Sequence, residues 1–180
     1  VKAVLDTCVI YPTVMREMLL GAARLGHFTP IWSARILEEW ARAARKLGPT
    51  GEAQARAEIA LAQAQWPQAE RAPVPGLEQR LWLPDSADIH VLATAITASA
   101  DVIVTVNAKD FPRNILAEEG LDRRDPDGLL HSLWLSDPDG LATTADRVLS
   151  EAIRLSGHQW TLRALMKKAR LPRLGKALTQ

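Results

Sequence analysis

The sequence predicts an α/β fold with a mainly parallel sheet, and three observations predict it. Short apolar, β-branched runs recur at 1–10, 28–32 and 101–106. Stretches with helical character separate them, and strands that alternate with helices build parallel sheets. Carboxylates and an amide stand late in or just after two of the runs: Asp6 sits late in the first, and Asn107 and Asp110 lie just beyond the last. In such sheets, ligands bind outside the carboxyl ends of the strands.

Each element has a local reason. Residues 1–10 read as a buried strand and 13–25 as a helix ended by Gly26. After the strand at 28–32, Ser33 is a suitable N-cap for a helix over 34–47. "GPTG" (48–51) breaks the chain, and the Ala/Gln-rich stretch 52–72 predicts two helices interrupted at Pro67. "APVPG" (72–76) is a loop and 81–83 a short strand. A helix over 84–100 takes Asp85 as its N-cap, and the strand "DVIVTV" is followed by the loop "NAKDFP". "DPDG" occurs at 125–128 and again at 137–140, where Asp137 caps a helix with Pro138 at its first position. A calcium loop is excluded because neither copy carries the further acids an EF-hand needs.

Composition bounds the function. The 180 residues are 47% apolar and 24% charged, enough to build a core. No apolar run approaches a membrane span, and no signal peptide is seen, so a cytoplasmic protein is expected. The single Cys8 excludes an internal disulfide and a cysteine-based zinc site. The total charge is +1, but residues 144–180 carry eight Lys/Arg against two acids, a net +6, which leaves −5 for the rest. A basic tail on an acidic body suggests a polyanionic or acidic partner, and a solvated helix face is the alternative.

Asp6 raises the sharpest question. A buried carboxylate costs several kcal/mol unless it is paired, hydrogen-bonded or metal-bound. Helical geometry supplies candidates to join it. Asp88 points roughly 50° from the centre of the Ile89, Leu92 and Ile96 cluster, so it faces the sheet, while His90 points away. Glu39 flanks the apolar stripe of its helix, whereas Glu38 lies further round among Arg42 and Arg45. The inventory is Asp6, Glu39, Asp88, Asn107 and Asp110, all oxygen donors. Such a set suits Mg²⁺ or Mn²⁺ rather than zinc, and these ions serve phosphoryl and phosphodiester chemistry. Each acid also has an ordinary role open to it. Asp88 could favour a helix dipole, Glu39 could pair with Arg35 or Arg42, and Asp110 could be a turn residue.

At this point the chain resembles a PIN domain, a metal-dependent nuclease fold. "VLDTCVIYP" resembles the family's first strand, with its aspartate followed by Thr or Ser. "TPIWSARILEEWARA" resembles its strand–helix unit, with Glu39 as the acid, and "LPDSADIHVLATAITASADVIVTVNAKDFP" its helix–strand signature, with Asp88 as the acid. Asn107 stands where many PIN domains have aspartate, and Asp110 could compensate. The resemblance implies a PIN-like domain over 1–120 and a helical extension over 121–180, basic from about 144. It implies a ribonuclease, the VapC-type toxin of a toxin–antitoxin pair. Asp6, Glu39, Asp88 and Asp110, with Asn107, would hold one or two Mg²⁺ or Mn²⁺ ions, and the Thr7 and Thr105 hydroxyls would orient the cluster. RNA is the implied substrate, a small antitoxin the implied partner and a homodimer the expected assembly. Arg35, Arg42 and Lys109 are candidate phosphate contacts.

The basic tail, with Arg163, Lys167, Lys168 and Arg170, could pack on the body, guide RNA or bind an antitoxin. Trp160 beside it could stack on a base, although packing is the commoner role for tryptophan. Two rival readings remain. One is a PIN-fold RNA-binding or scaffold protein with weak catalysis, motivated by Asn107. The other is an aspartyl-phosphate phosphotransferase, disfavoured because Cys8 stands where a second Asp would be expected.

Overall fold

A computed structural model describes residues 1–180. The chain forms two compact units, each assembled from separated segments: Val1–Tyr11 with Thr29–Arg123, and Pro12–Phe28 with Arg124–Gln180.

The first unit carries the sheet. Strands β1 (Lys2–Leu5), β2 (Thr29–Ile31) and β3 (Val102–Val104) are joined at one edge by β4 (Asp122–Arg124), in the order β2-β1-β3-β4. Central β1 runs parallel to both neighbours, with Val4 opposite Ile31 and Leu5 opposite Val104. Burial on both faces explains the continuous apolar runs: Val4, Leu5, Ile31, Ile103 and Val104 are inaccessible to solvent. The helices here are α1 (Thr7–Ile10), α3 (Ala34–Ala43), α4 (Gly51–Gln65), α5 (Leu77–Arg80), α6 (Ile89–Thr97) and α7 (Arg113–Glu118). Ser33 caps α3 by accepting from the Ile36 N–H at 3.2 Å. Trp40, on the inner face of α3, is buried.

The second unit is helical: α2 (Thr13–Arg24), α8 (Pro126–Ser136), α9 (Pro138–Ser156), α10 (Leu162–Lys168) and α11 (Pro172–Leu178). Both "DPDG" segments open helices. Asp125 and Asp137 accept from the N–H groups of Gly128 and Gly140, and proline takes the first turn. At Gly21 a Cβ would collide with the Thr144 methyl, so α2 and α9 approach this closely only because the residue is glycine. None of the helices is long and apolar enough to cross a membrane.

Four expectations about the elements are corrected. The strand expected over 1–10 ends at Leu5, because Asp6 accepts from the Thr7 N–H and caps a helical turn over Thr7–Ile10. The second helix expected after Pro67 does not form, because the chain is drawn alongside the residue after β2: Trp32 N–H donates to Ala69 O, and Arg71 N–H donates to Trp32 O. Residues 81–83 are no strand; they find no sheet partner, leaving Trp82 65% exposed and Leu83 buried. The helix expected over 84–100 begins as a 3₁₀ turn, Ser86–Asp88, and becomes α-helical only at Ile89. β4 is an addition, too short and too polar to show period-2 alternation.

Candidate metal centre

The parallel register builds the site. Leu5 pairs with Val104, so the next residues of the two strands, Asp6 and Thr105, emerge side by side at the carboxyl edge. The Thr105 hydroxyl donates to Asp6 Oδ2 at 2.8 Å. The Cys8 thiol donates to the same oxygen at 3.3 Å, and the Thr7 N–H donates to Oδ1 at 2.8 Å as α1 begins. Asp6 is only 4% exposed. Burial raises its pKa, these three donors oppose the rise, and the nearby charge of Glu39 adds to it.

Glu39 arrives from α3. Its Oε2 accepts from the Thr7 hydroxyl at 2.8 Å, and its Oε1 lies 2.6 Å from His90 Nε2 and 3.8 Å from Arg35 Nε. Burial would raise its pKa, but the contacts from His90 and Thr7 outweigh that and hold it below the usual range. The expectation for His90 is overturned: its side chain is 95% buried, with 5% exposure, and packs against the acid of the neighbouring helix. Ile89 and Ile96, which set the expected inner face, are only half-buried, whereas His90, Val91, Ala93, Thr94 and Ala95 are buried, so the apolar cluster marked the wrong face of α6 as the inner one. The close Nε2–Oε1 approach is poorly aligned, so neither ring nitrogen has a hydrogen-bond partner.

Asp85, Asp88 and Asp110 form the tightest acidic group, with one carboxylate oxygen from each within 4.8 Å of the others. Asp88 ends the 3₁₀ turn before α6, and Asp110 ends another 3₁₀ turn, Ala108–Asp110, after β3. Asp85 caps the first of these turns, accepting from the Ala87 N–H at 2.9 Å. Burial, then the charges of Asp6, Asp85 and Asp110, push the Asp88 carboxyl up to about 6. Asp6 and Glu39 lie outside this tight group but are electrostatically continuous with it, Glu39 acting on Asp6 and Asp6 on Asp88. Asn107 enters through its backbone, whose N–H donates to the Thr105 hydroxyl at 3.0 Å.

Among the candidate phosphate contacts, Lys109 is exposed immediately before Asp110. Arg35 is shared between Glu39 and Glu78. Arg42 binds Glu38, which also accepts from Arg56. Arg163, Lys167, Lys168 and Arg170 are exposed on and just after α10, in the second unit. Trp160 meets His158 edge-on, at 4.6 Å between ring centroids.

The donor set fits a hard divalent cation. Every candidate ligand atom is a carboxylate or amide oxygen, and the Asp88 pKa is raised first by burial and then by the charges of Asp6, Asp85 and Asp110, a repulsion that a cation relieves. Zinc would favour nitrogen or sulfur. Burial and the Asp6 charge push the Cys8 thiol up to about 12, so it remains protonated, a hydrogen-bond donor rather than a soft ligand.

Sequence reasoning missed Asp85, His90 and Cys8 as parts of this region. Asp85 was legible as a cap, and its second position three residues before Asp88 was the available signal. Nothing local marked Cys8 as a donor to Asp6, because the turn from β1 into α1 sets that contact.

The family model described as PIN domain matches residues 2–109. No curated protein and no solved structure matches the chain at a significant level. PIN domains are generally metal-dependent nucleases, a role to which an edge crowded with carboxylates is suited. With the match spanning more than half of the chain, and the parallel sheet and its acidic edge in place, this protein belongs to the PIN-domain family.

Proposed function

We propose that this chain is an endoribonuclease that uses Mg²⁺ or Mn²⁺, the VapC-type toxin of a toxin–antitoxin pair. The observation that carries the reading is the Asp85–Asp88–Asp110 group, with ligand oxygens within 4.8 Å, beside a buried and hydrogen-bonded Asp6. Asp88 and Asp110, with Asp85, supply the first carboxylates. Asp6 is locked by Thr105, Cys8 and Thr7, and Glu39 is set by Thr7 and His90. Asn107 contributes a neutral amide at most. A divalent ion bound there would acidify a water and draw charge from a phosphate oxygen. The one thiol at this edge is a poor nucleophile, since Cys8 is held protonated and tied to Asp6. Hydrolysis by water therefore suits the site better than a covalent intermediate.

Lys109 and Arg35 are the proposed phosphate contacts near the acids, and the α10 basic residues a further RNA-binding surface. An antitoxin partner and a homodimer are proposed on the family resemblance. A second reading, an RNA-binding PIN fold with weak catalysis, draws on the neutral Asn107. Incubating single-stranded RNA with Mn²⁺ or Mg²⁺ tests the proposal. We expect cleavage that EDTA, Asp88→Asn and Asp6→Asn each abolish. Intact RNA with the native chain, or cleavage that survives both substitutions, would overturn it.

A further inference from the structure

A cavity of about 260 Å³ lies between α3, the loop before α5, and α6. Pro73, Val74 and Ala93 form apolar parts of its wall, and the ring of His90 forms another. Arg35 and Glu78 stand at it as an ion pair 3.6 Å apart, both substantially exposed. The same imidazole has Nε2 2.6 Å from Glu39, so one residue of the cavity wall also touches a carboxylate of the candidate metal centre. Its two ring nitrogens are buried without hydrogen-bond partners.

We propose that this cavity is a nucleobase subsite, taking a base of the RNA strand whose phosphate lies at the carboxylates. The inference deepens the nuclease reading and rests on it for the substrate. Three observations select a base. The volume is below that of a drug-sized ligand pocket, roughly 300 Å³ and upward, so it suits one flat ring system rather than a larger molecule. Apolar walls with a charged mouth match a base, whose faces are apolar and whose edge and phosphate are polar. Arg35 is itself exposed and is held by Glu78 at 3.6 Å and by half-buried Glu39 at 3.8 Å, both longer than a hydrogen bond, so turning its guanidinium toward a phosphate costs little. An apolar side chain from a protein partner would fill the volume but leave the continuity with a phosphate-handling edge unused.

The test fills the cavity without touching the acids. Ala93→Leu fills it from its wall, and Thr97→Leu does so from a less buried position on the same helix, keeping the test valid if the first variant folds poorly. Fluorescence anisotropy in EDTA compares a short single-stranded oligoribonucleotide with an abasic ribose-phosphate chain of equal length. We expect the native protein to prefer the base-bearing strand by about tenfold or more. Either folded variant should lose that preference while binding the abasic strand as before. An unchanged preference in the variants, or no preference in the native protein, overturns the subsite. Cleavage with Mn²⁺ is scored separately. If the native chain binds with the expected preference but never cuts, the nuclease reading fails while the subsite stands.

Discussion

Thr105 donates a 2.8 Å hydrogen bond to Asp6, a residue 99 positions earlier in the chain, and the register Leu5 opposite Val104 places the two there. Asp6 is 4% exposed and its pKa is raised by burial, so its charged form depends on such donors. A hydrogen bond to a charged group contributes about 1.5–3 kcal/mol. Thr105→Val should therefore weaken Mn²⁺ binding by roughly tenfold or more, while Thr105→Ser restores it. Calorimetric titration with Mn²⁺ measures both.

The Cys8 thiol makes a smaller contribution to the same carboxylate, at 3.3 Å. Cys8→Ser keeps a donor and should leave activity near native. Cys8→Ala removes it and should lower Mn²⁺ affinity by less than Thr105→Val does. Titrating the two variants in parallel checks the order.

Asp88 predicts the pH dependence. Its folded pKa, about 6, lies above its ordinary value of 3.8. The metal-free protein therefore loses stability as pH rises through that window, because folding disfavours the ionised carboxylate. A cation competes with the proton, so Mn²⁺ affinity should be level above about pH 7 and fall by about tenfold per unit below about pH 6. The melting-temperature gain from Mn²⁺ should accordingly be large at about pH 7.5 and small at about pH 5. Asp85→Asn removes a charge that raises Asp88, and should move the acid limb to lower pH. Thermal melts across pH, with and without Mn²⁺, test each sign.

Adjacent glutamates on α3 should behave oppositely. Glu39 contacts Thr7 and His90, whereas Glu38 pairs with Arg42 and Arg56 in an exposed network. Glu39→Gln should lower RNA cleavage by about a hundredfold or more, consistent with loss of a charge at the reacting centre. Glu38→Gln should leave it within about twofold, as exposed pairs contribute little. Initial rates at saturating Mn²⁺ decide between them.

In the second unit, Asp127 is buried on α8 and accepts from the N–H groups of Arg173 and Leu174, each at 2.9 Å. Asp127→Ala leaves two α11 donors without this partner. A loss of about 2–3 kcal/mol, or roughly 5–10 °C in melting temperature, is expected. Differential scanning calorimetry reads it directly.

Much of the fold was legible because its signals are local. The β-branched run before Asn107 is a strand by its own chemistry, and Ser33, Asp85 and Asp137 declare helix starts within a few residues. The break at Pro67 misled because backbone pairing with Trp32, distant in sequence, overrode helix propensity. β4 carried no pattern to read, and a wheel oriented by Ile89 and Ile96, which stay half-buried, turned His90 outward although α6 is buried around most of its circumference.

By itself the sequence determined the residue types: an all-oxygen acid set, one thiol, alternating strands and helices, and the motifs of a PIN domain. Tertiary structure alone decided which acids share a small volume, that Asp85 joins Asp88 and Asp110, and that His90 meets Glu39. The physical reason is range. Periodicity and capping act over one or two turns, whereas the burial and then the repulsion that raise the Asp88 pKa arise where strand register and the turns that follow bring distant residues together.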